Sequence, residues 1–456
     1  MAKAPLSHGQ LTIFDHIKSV MRPCTYRRIL RLPALAVAAG ALMAAPLAYA
    51  SSGNLDIGSA EAFTIYGNAS VASIDGESSW LNGGFGKLRF GPIRQPPDNS
   101  VKIEAQLSEA GVVWQPRLGW SISGTVVGLA QANDNTFDAG ISEAYISYKP
   151  LGLGQVSVTV RTGLMWPPAS IEHSGPEWAV TDTITPSAIG SWLGEEVKVV
   201  GVEANAKWSV GGHTLGATIA GFDGNDTAGA LLTFRGWALH DHKALALRKQ
   251  PLPPLNEFME YAQPQFSHPI LDVDHGFFKR PGYYAKLSWT LPVPVRFELF
   301  RYDNDGDPLA VNDNLEWGWR TQFETVGVIC KLGGSRELRA QGLSGRTRMG
   351  DRIGNANWID MKFRAAFAMM TQRFVPGSVS ARVDLFDTRN RGSAVDYEDD
   401  EHGWAMTIAA SRTITKWLTV FAEYLHVESD RIARDRVGLF AFQAQNQLQF
   451  AVRARW

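Results

Sequence analysis

Cysteine is nearly missing from this chain. It has two, Cys24 and Cys330. Cys24 falls in a leader described below, so Cys330 is left alone, which excludes an internal disulfide framework and a cysteine-based metal centre. Val328, Ile329 and Leu332 surround it in sequence and mark it as a small packed residue. Long apolar runs are missing too. Beyond residue 50 no run of 18 apolar residues occurs, so no membrane-spanning helix is expected. There is no excess of one charge, with 44 Lys and Arg against 45 Asp and Glu. Without residues 1–50 the balance is 38 basic to 44 acidic side chains, a net of −6, which lacks the basic footprint of a nucleic-acid binder. The ten histidines are scattered without metal-ligand spacing, so neither a metal nor a cofactor is expected.

Gly (44) and Trp (15) are abundant, and 45% of residues are hydrophobic, a composition that can build a core. Residues 1–50 read as an export signal. Arg27, Arg28 and Arg31 precede an apolar run from Leu32 to Leu47, and Ala48-Tyr49-Ala50 offers a small-x-small cleavage site near Ala50. Residues 1–20 fit no part of a signal, whereas a start at Met21 would give an ordinary one. The expected organisation is thus a signal over 1–50, with an over-called start, and one domain over 51–456.

Periodicity gives the architecture of that domain. The final stretch sets Leu448, Phe450, Val452, Ala454 and Trp456 on one face and Gln447, Gln449, Ala451, Arg453 and Arg455 on the other. That is period two, the signature of a strand, and its length suits a tilted bilayer crossing of about 9–11 residues. Sixteen segments repeat the pattern: 63–74, 101–114, 118–131, 140–149, 155–164, 195–208, 213–222, 282–291, 295–302, 318–332, 336–347, 358–372, 378–388, 403–413, 417–427 and 446–456. Seven tight connections alternate with eight longer ones, at about 75–100, 132–139, 165–194, 223–281, 303–317, 348–357, 389–402 and 428–445. Sorting of loops by side is the arrangement of an all-β transmembrane antiparallel barrel with short periplasmic turns and long outer loops. Two segments, 86–91 and 230–238, would make eighteen strands if both were counted. Here they are read as loop, the second with a short helix. Trp114, Trp120, Trp208, Trp289, Trp417 and Trp456 fall near the short-turn ends, and Trp166, Trp317, Trp319, Trp358 and Trp404 near the long-loop ends, as two interface belts would require.

The stretch Arg382-Val383-Asp384-Leu385-Phe386-Asp387, then Asp400-Glu401-His402-Gly403-Trp404-Ala405, Glu423-Tyr424-Leu425, Val427-Glu428-Ser429-Asp430-Arg431 and the closing Gln-Leu-Gln strand resembles the phosphate-selective porin type of outer-membrane channel. The resemblance is clearest over the last ~75 residues. It implies a sixteen-stranded channel in the outer membrane of a Gram-negative bacterium, often a homotrimer, passing small hydrophilic solutes or ions without enzymatic chemistry. Its partners would be those solutes or anions, outer-membrane lipid and lipopolysaccharide, and the barrel-assembly machinery. A non-conducting structural or adhesin-type barrel is the alternative.

A sixteen-strand barrel is wide enough for a water-filled lumen, whose selectivity is set by lumen charges and inserted loops. Alternation nominates Arg339, Lys362, Arg364, Arg382, Arg453 and Arg455 as pore-lining, with Lys198, Lys286, Arg296, Arg346 and Arg348 as a second set. Glu298 and Asp384 share their faces and could pair with them. The third outer loop is the constriction candidate, through Glu172, His173, Glu177, Trp178 and Asp182. No motif fixes a catalytic site: His173-Ser174 and His240-Asp241-His242 supply reactive groups without a defining pattern. Asp303, Asp305 and Asp307 alternate like a calcium loop but lack its later Gly and Glu.

Overall fold

The computed structural model describes residues 55–91, 101–133, 136–150, 154–253, 267–274, 279–393 and 399–456. The expected signal and start site lie outside the described residues. The barrel strands are β1 (Phe63–Ile74), β2 (Lys102–Trp114), β3 (Ile122–Asn133), β4 (Thr136–Tyr148), β5 (Val156–Met165), β6 (Val199–Val210), β7 (His213–Asp223) and β8 (Gly282–Thr290), followed by β9 (Val295–Asp303), β10 (Arg320–Leu332), β11 (Arg336–Ile353), β12 (Ala356–Phe374), β13 (Gly377–Asn390), β14 (Glu401–Thr415), β15 (Leu418–Arg431) and β16 (Phe442–Arg455). Each pairs antiparallel with the next, and β16 returns to β1 from Tyr66↔Arg455 to Ile74↔Gln447, closing a sixteen-strand barrel. Closure removes every sheet edge, so all strand N–H and C=O groups are satisfied without water, the condition for crossing a bilayer. Two extra two-residue strands, Leu55–Asp56 and Arg117–Leu118, pair outside the barrel wall.

Even-numbered connections, counted from β1–β2, are short, as expected. Two outer connections are short as well. Strands β3 and β4 leave only residues 134–135 between them, and β11 and β12 leave only 354–355. The expected loops 132–139 and 348–357 are therefore largely strand. Their polar residues read as loop because a strand rising past the membrane no longer needs an apolar face. The expected strand 195–208 starts late: Glu195 and Glu196 end a helix, α1 (Ala188–Glu196), and β6 begins at Val199. A second, short helix, α2 (Ala230–Phe234), lies in the segment 230–238, as expected.

Along most of the wall the outward row is apolar, including Ile65, Leu107, Ile219, Leu287, Leu299, Val383, Phe450 and Val452, all exposed. This is the lipid-facing belt. The short-turn tryptophans Trp120, Trp208, Trp289, Trp417 and Trp456 are exposed at its edge. The long-loop set does not form the second belt that was expected. Trp166 and Trp319 are buried, and among that set Trp404 faces outward. Their indoles go to the interior because the barrel is filled. Wall residues Phe222, Tyr284, Phe300, Phe323, Leu343, Phe363, Phe367 and Phe386 pack with Trp192, Phe234 and Trp237 from the loops into one apolar core.

Four register shifts interrupt the pairing of the described strands, and two of them act on the lumen. Register slips opposite Asn68/Ala69 in β2 and opposite Val127/Gly128 in β4. At each, two successive residues, Ser108-Glu109 and Ser142-Glu143, are both buried. An extra residue in one strand turns consecutive side chains to the same side, which brings both glutamates into the lumen.

Candidate solute pathway

The loop joining β5 to β6 (166–198) enters the barrel. Lys286 of β8 donates to the Pro168 carbonyl at 2.9 Å, and Gln341 of β11 to that of Ala169 at 2.6 Å. Asp384 of β13 accepts from the Ala188 amide at 3.1 Å, and Glu423 of β15 from that of Ile184 at 2.6 Å. Arg453 of β16 donates to the Val180 carbonyl at 2.7 Å. One segment can touch strands spread from β8 to β16 only from within. Of the two placements open to it, inside or over the mouth, it takes the first.

Local chemistry sets its course. His173–Ser174 and Ala179–Val180 pair as a small ladder, with Trp178 at φ 50 near its tip. A non-glycine residue there is strained and is held by its surroundings. Trp178 lies between Trp166 (centroids 5.1 Å) and His173 (4.6 Å), nearly parallel to both. Ser187 then caps α1, its Oγ accepting from the Gly190 amide at 3.0 Å and donating to Glu172.

Members of the two predicted residue sets meet in pairs. Asp182 holds Arg339 at 3.0 Å, and also Arg373, a residue outside those sets, at 2.6 Å. Arg455 reaches Glu177 at 2.9 Å. Arg382, fully buried, pairs with Asp384 at 2.8 Å, lies 3.5 Å from Glu172, and donates to the Thr185 and Pro186 carbonyls. The wall arginines thus anchor the loop acids. Breaking such a buried pair leaves an uncompensated charge, so the loop is fixed in place.

Lys362 and Arg364 must be corrected. Both are exposed and belong to the outward row of β12, whereas Phe363, Ala365, Phe367 and Met369 point inward. Arg346 and Arg348 of the second set share that outward side. Phe363 packs edge-on against Trp192 of α1 at 5.2 Å. The period was right and its sign was not, because the lumen beside β12 is occupied by an apolar helix rather than water.

A second inserted layer comes from the loops after β1 and β7. Thr321 and Thr347 flank the Ala228 carbonyl, and Gly229 (φ 98) leaves no room for a Cβ beside Thr347. Arg431 of β15 donates to the Thr233 carbonyl, and Glu401 accepts from the Trp237 amide at 2.9 Å and pairs with Lys87. Arg235 makes a bidentate pair with Glu195, which also meets His240 at 2.8 Å. Burial alone would raise the Glu195 pKa, but Arg235 and His240 hold it down to about 2. Its neighbour Glu196 has no cationic partner among the described residues. It accepts from Trp192 Nε1, Ser267 Oγ and the Leu231 amide, yet burial pushes its pKa up to about 7.

The reactive groups noted in the sequence are occupied by structural contacts. His173 Nδ1 lies 2.9 Å from Ser170 Oγ, Asp241 pairs with Arg89, and His242 Nε2 is 3.2 Å from Gln250. Arg320 pairs with Asp303 and Asp305, and Arg280 with Asp305 and Asp307.

A cavity of about 290 Å³ adjoins the inserted loop on its short-turn side, lined among others by Glu143, Arg161, Trp166, Lys286, Arg296 and Glu298. At the short-turn end of the lumen, in and beyond this cavity, several ion pairs have unequally exposed partners. Arg296, Arg373 and Arg455 are 43%, 42% and 60% exposed, and their carboxylate partners Glu298, Asp182 and Glu177 are 7%, 2% and 9%. Solution at this end therefore meets guanidinium groups, with the balancing carboxylates behind them. Arg161 and Arg373 were not singled out from the sequence. Arg373 lies two residues from Thr371 on the inward row of β12, a signal that a correctly phased strand would have carried.

No protein-family model matches this chain, and no curated protein sequence matches it. Among solved structures it is similar to the outer-membrane channel DcaP of Acinetobacter baumannii, at 10% identity and TM-score 0.50, covering 88% of this chain and all of that one. The anion-selective porin from Comamonas acidovorans matches at 12% identity and TM-score 0.47, over 86% of this chain and 99% of that one. OmpT of Vibrio cholerae, an outer-membrane protein, matches at 9% identity and TM-score 0.46, over 88% and 100%. At such identities the likeness is one of fold: the chain is a closed antiparallel barrel of the outer-membrane kind.

Proposed function

We propose that this protein is an outer-membrane channel through which small hydrophilic solutes diffuse passively, with a preference for anions. The observation that carries the reading is the inserted third loop, which narrows a sixteen-strand barrel and leaves exposed guanidinium groups at its short-turn end over buried carboxylates. A fixed positive charge lowers the cost for an anion to shed water on entry. Export, cleavage near Ala50 and assembly as a homotrimer belong to the same proposal, and chemical crosslinking in native membranes checks the last. Recording from planar bilayers tests the channel: discrete open steps support it. Under a KCl gradient the reversal potential should carry the anion-selective sign, and a cation-selective sign would end that part.

A second reading is a folded barrel that does not conduct. The apolar core joining Trp192 and Trp237 to the wall favours it, because packed aromatics exclude water. Silent bilayers from correctly folded protein would select it.

A further inference from the structure

On the outward side of β11–β13, cations crowd together. Cross-strand register sets Arg346 beside Lys362 and Lys362 beside Arg389, three positive residues abreast on adjacent strands. Like charges directly opposite destabilise a sheet unless something compensates them. Arg346 has Asp360 and Arg389 has Asp387. Lys362 and Arg364 are exposed, and no ion-pair or hydrogen-bond partner is seen for either among the described residues. With Arg348, five basic residues face two acidic ones.

This cluster sits where the apolar belt ends. One register step toward the short turns, the outward row is Leu299, Val326, Gly342, Ala366, Leu385 and Trp404. Gly342 and Ala366 in the middle of that row, with larger residues at both flanks, leave an outer groove of about 970 Å³ that Arg364 also lines. At its long-loop end the groove is lined by Arg364 and Arg301 with Asp387 and Glu324, Asp387 standing opposite Arg364, and Lys362 lies one outward position beyond. An apolar trough under this rim, on which the outward side of β11–β13 carries more basic than acidic residues, has the complementarity of a lipid whose headgroup carries phosphate. We propose that this face binds a phosphorylated lipid of the outer leaflet, with acyl chain in the groove and phosphate on Lys362 and Arg364. Guanidinium and ammonium groups favour phosphate oxygens by charge-assisted hydrogen bonds.

The test uses the purified barrel in non-ionic detergent with bisphosphorylated lipid A as probe, bound lipid being read by native mass spectrometry. Retention should fall at least about tenfold in Lys362→Glu/Arg364→Glu, since each basic side chain near an anionic lipid surface contributes roughly a fivefold factor. Lys362→Gln/Arg364→Gln gives the same direction if charge reversal impairs folding, which heat-modifiable gel migration monitors. Dephosphorylated lipid A should bind no better to the native chain than to the variants, and millimolar inorganic phosphate should leave the retained lipid in place. Equal retention by native and variant chains overturns the proposal, as does displacement by inorganic phosphate, which would make the site one for the free ion. Efficient disulfide crosslinking between copies of Arg364→Cys in native membranes would give the face to a second copy and likewise overturn it.

Discussion

Strands β12 and β16 alternate with the same period and opposite polarity. In β16 the outward row is Leu448, Phe450 and Val452 and the inward row Gln447, Gln449 and Arg453. In the outer half of β12 the outward row is Lys362 and Arg364 and the inward row Phe363, Ala365 and Phe367. Each side chain answers to what lies beside it. Gln447 and Gln449 hydrogen-bond to each other in a polar part of the lumen, while Phe363 meets Trp192 and Trp237. Period two therefore identifies a strand without saying which of its rows faces the lumen.

Four expected outcomes would break or sharpen that contrast. The largest concerns the lumen anchors. Arg382→Ala strands Asp384 and Glu172 in the interior and should cost about 3–5 kcal/mol. Urea unfolding of the liposome-inserted protein would show a lower midpoint, and single-channel records greater current noise, as the loop loosens. Next, Phe363→Ala should cost about 3–5 kcal/mol in the same unfolding assay, whereas its outward neighbour Lys362→Ala should change stability by no more than about 0.5 kcal/mol. Equal effects would mean that β12 is phased as the sequence first suggested. In β16 the sensitivity should be reversed: Leu448→Arg on the lipid face should cost up to about 2–4 kcal/mol, depending on its depth. The smallest effect is a pH dependence. Burial raises the Glu196 pKa from 4.5 to about 7, so the native state binds more protons than the unfolded state between those values. The Glu196 contribution is thus most favourable below pH 4.5 and is lost as pH rises to about 7. Glu196→Gln should flatten the unfolding midpoint across that window, and an unchanged slope would remove Glu196 as its source.

Much of the barrel was legible because a lipid face is a simple selector. Sixteen strands and the side of each connection followed from alternation and loop length. What escaped were departures from alternation with three-dimensional causes. The bulges that turn Glu109 and Glu143 inward depend on a neighbouring strand's register. The α1 helix, ending at Glu195 and Glu196, is stabilised by burial of Trp192 and Leu193 inside the barrel more than by any local pattern. Candidate residues on the third loop and the wall arginines were found separately, and their pairing was not foreseen, since partners such as Glu172 and Arg382 stand 210 positions apart.

By itself, then, the sequence determined a bilayer-sized repeat of two-faced strands, because backbone geometry sends neighbouring side chains to opposite sides. Only the tertiary structure decided what fills the barrel. Three loops converge there, and their apolar and acidic residues dictate which wall residues must turn inward to meet them. That decision moved Lys362 and Arg364 to the lipid side and left Arg296, Arg373 and Arg455 as the cations that solution meets at the short-turn end.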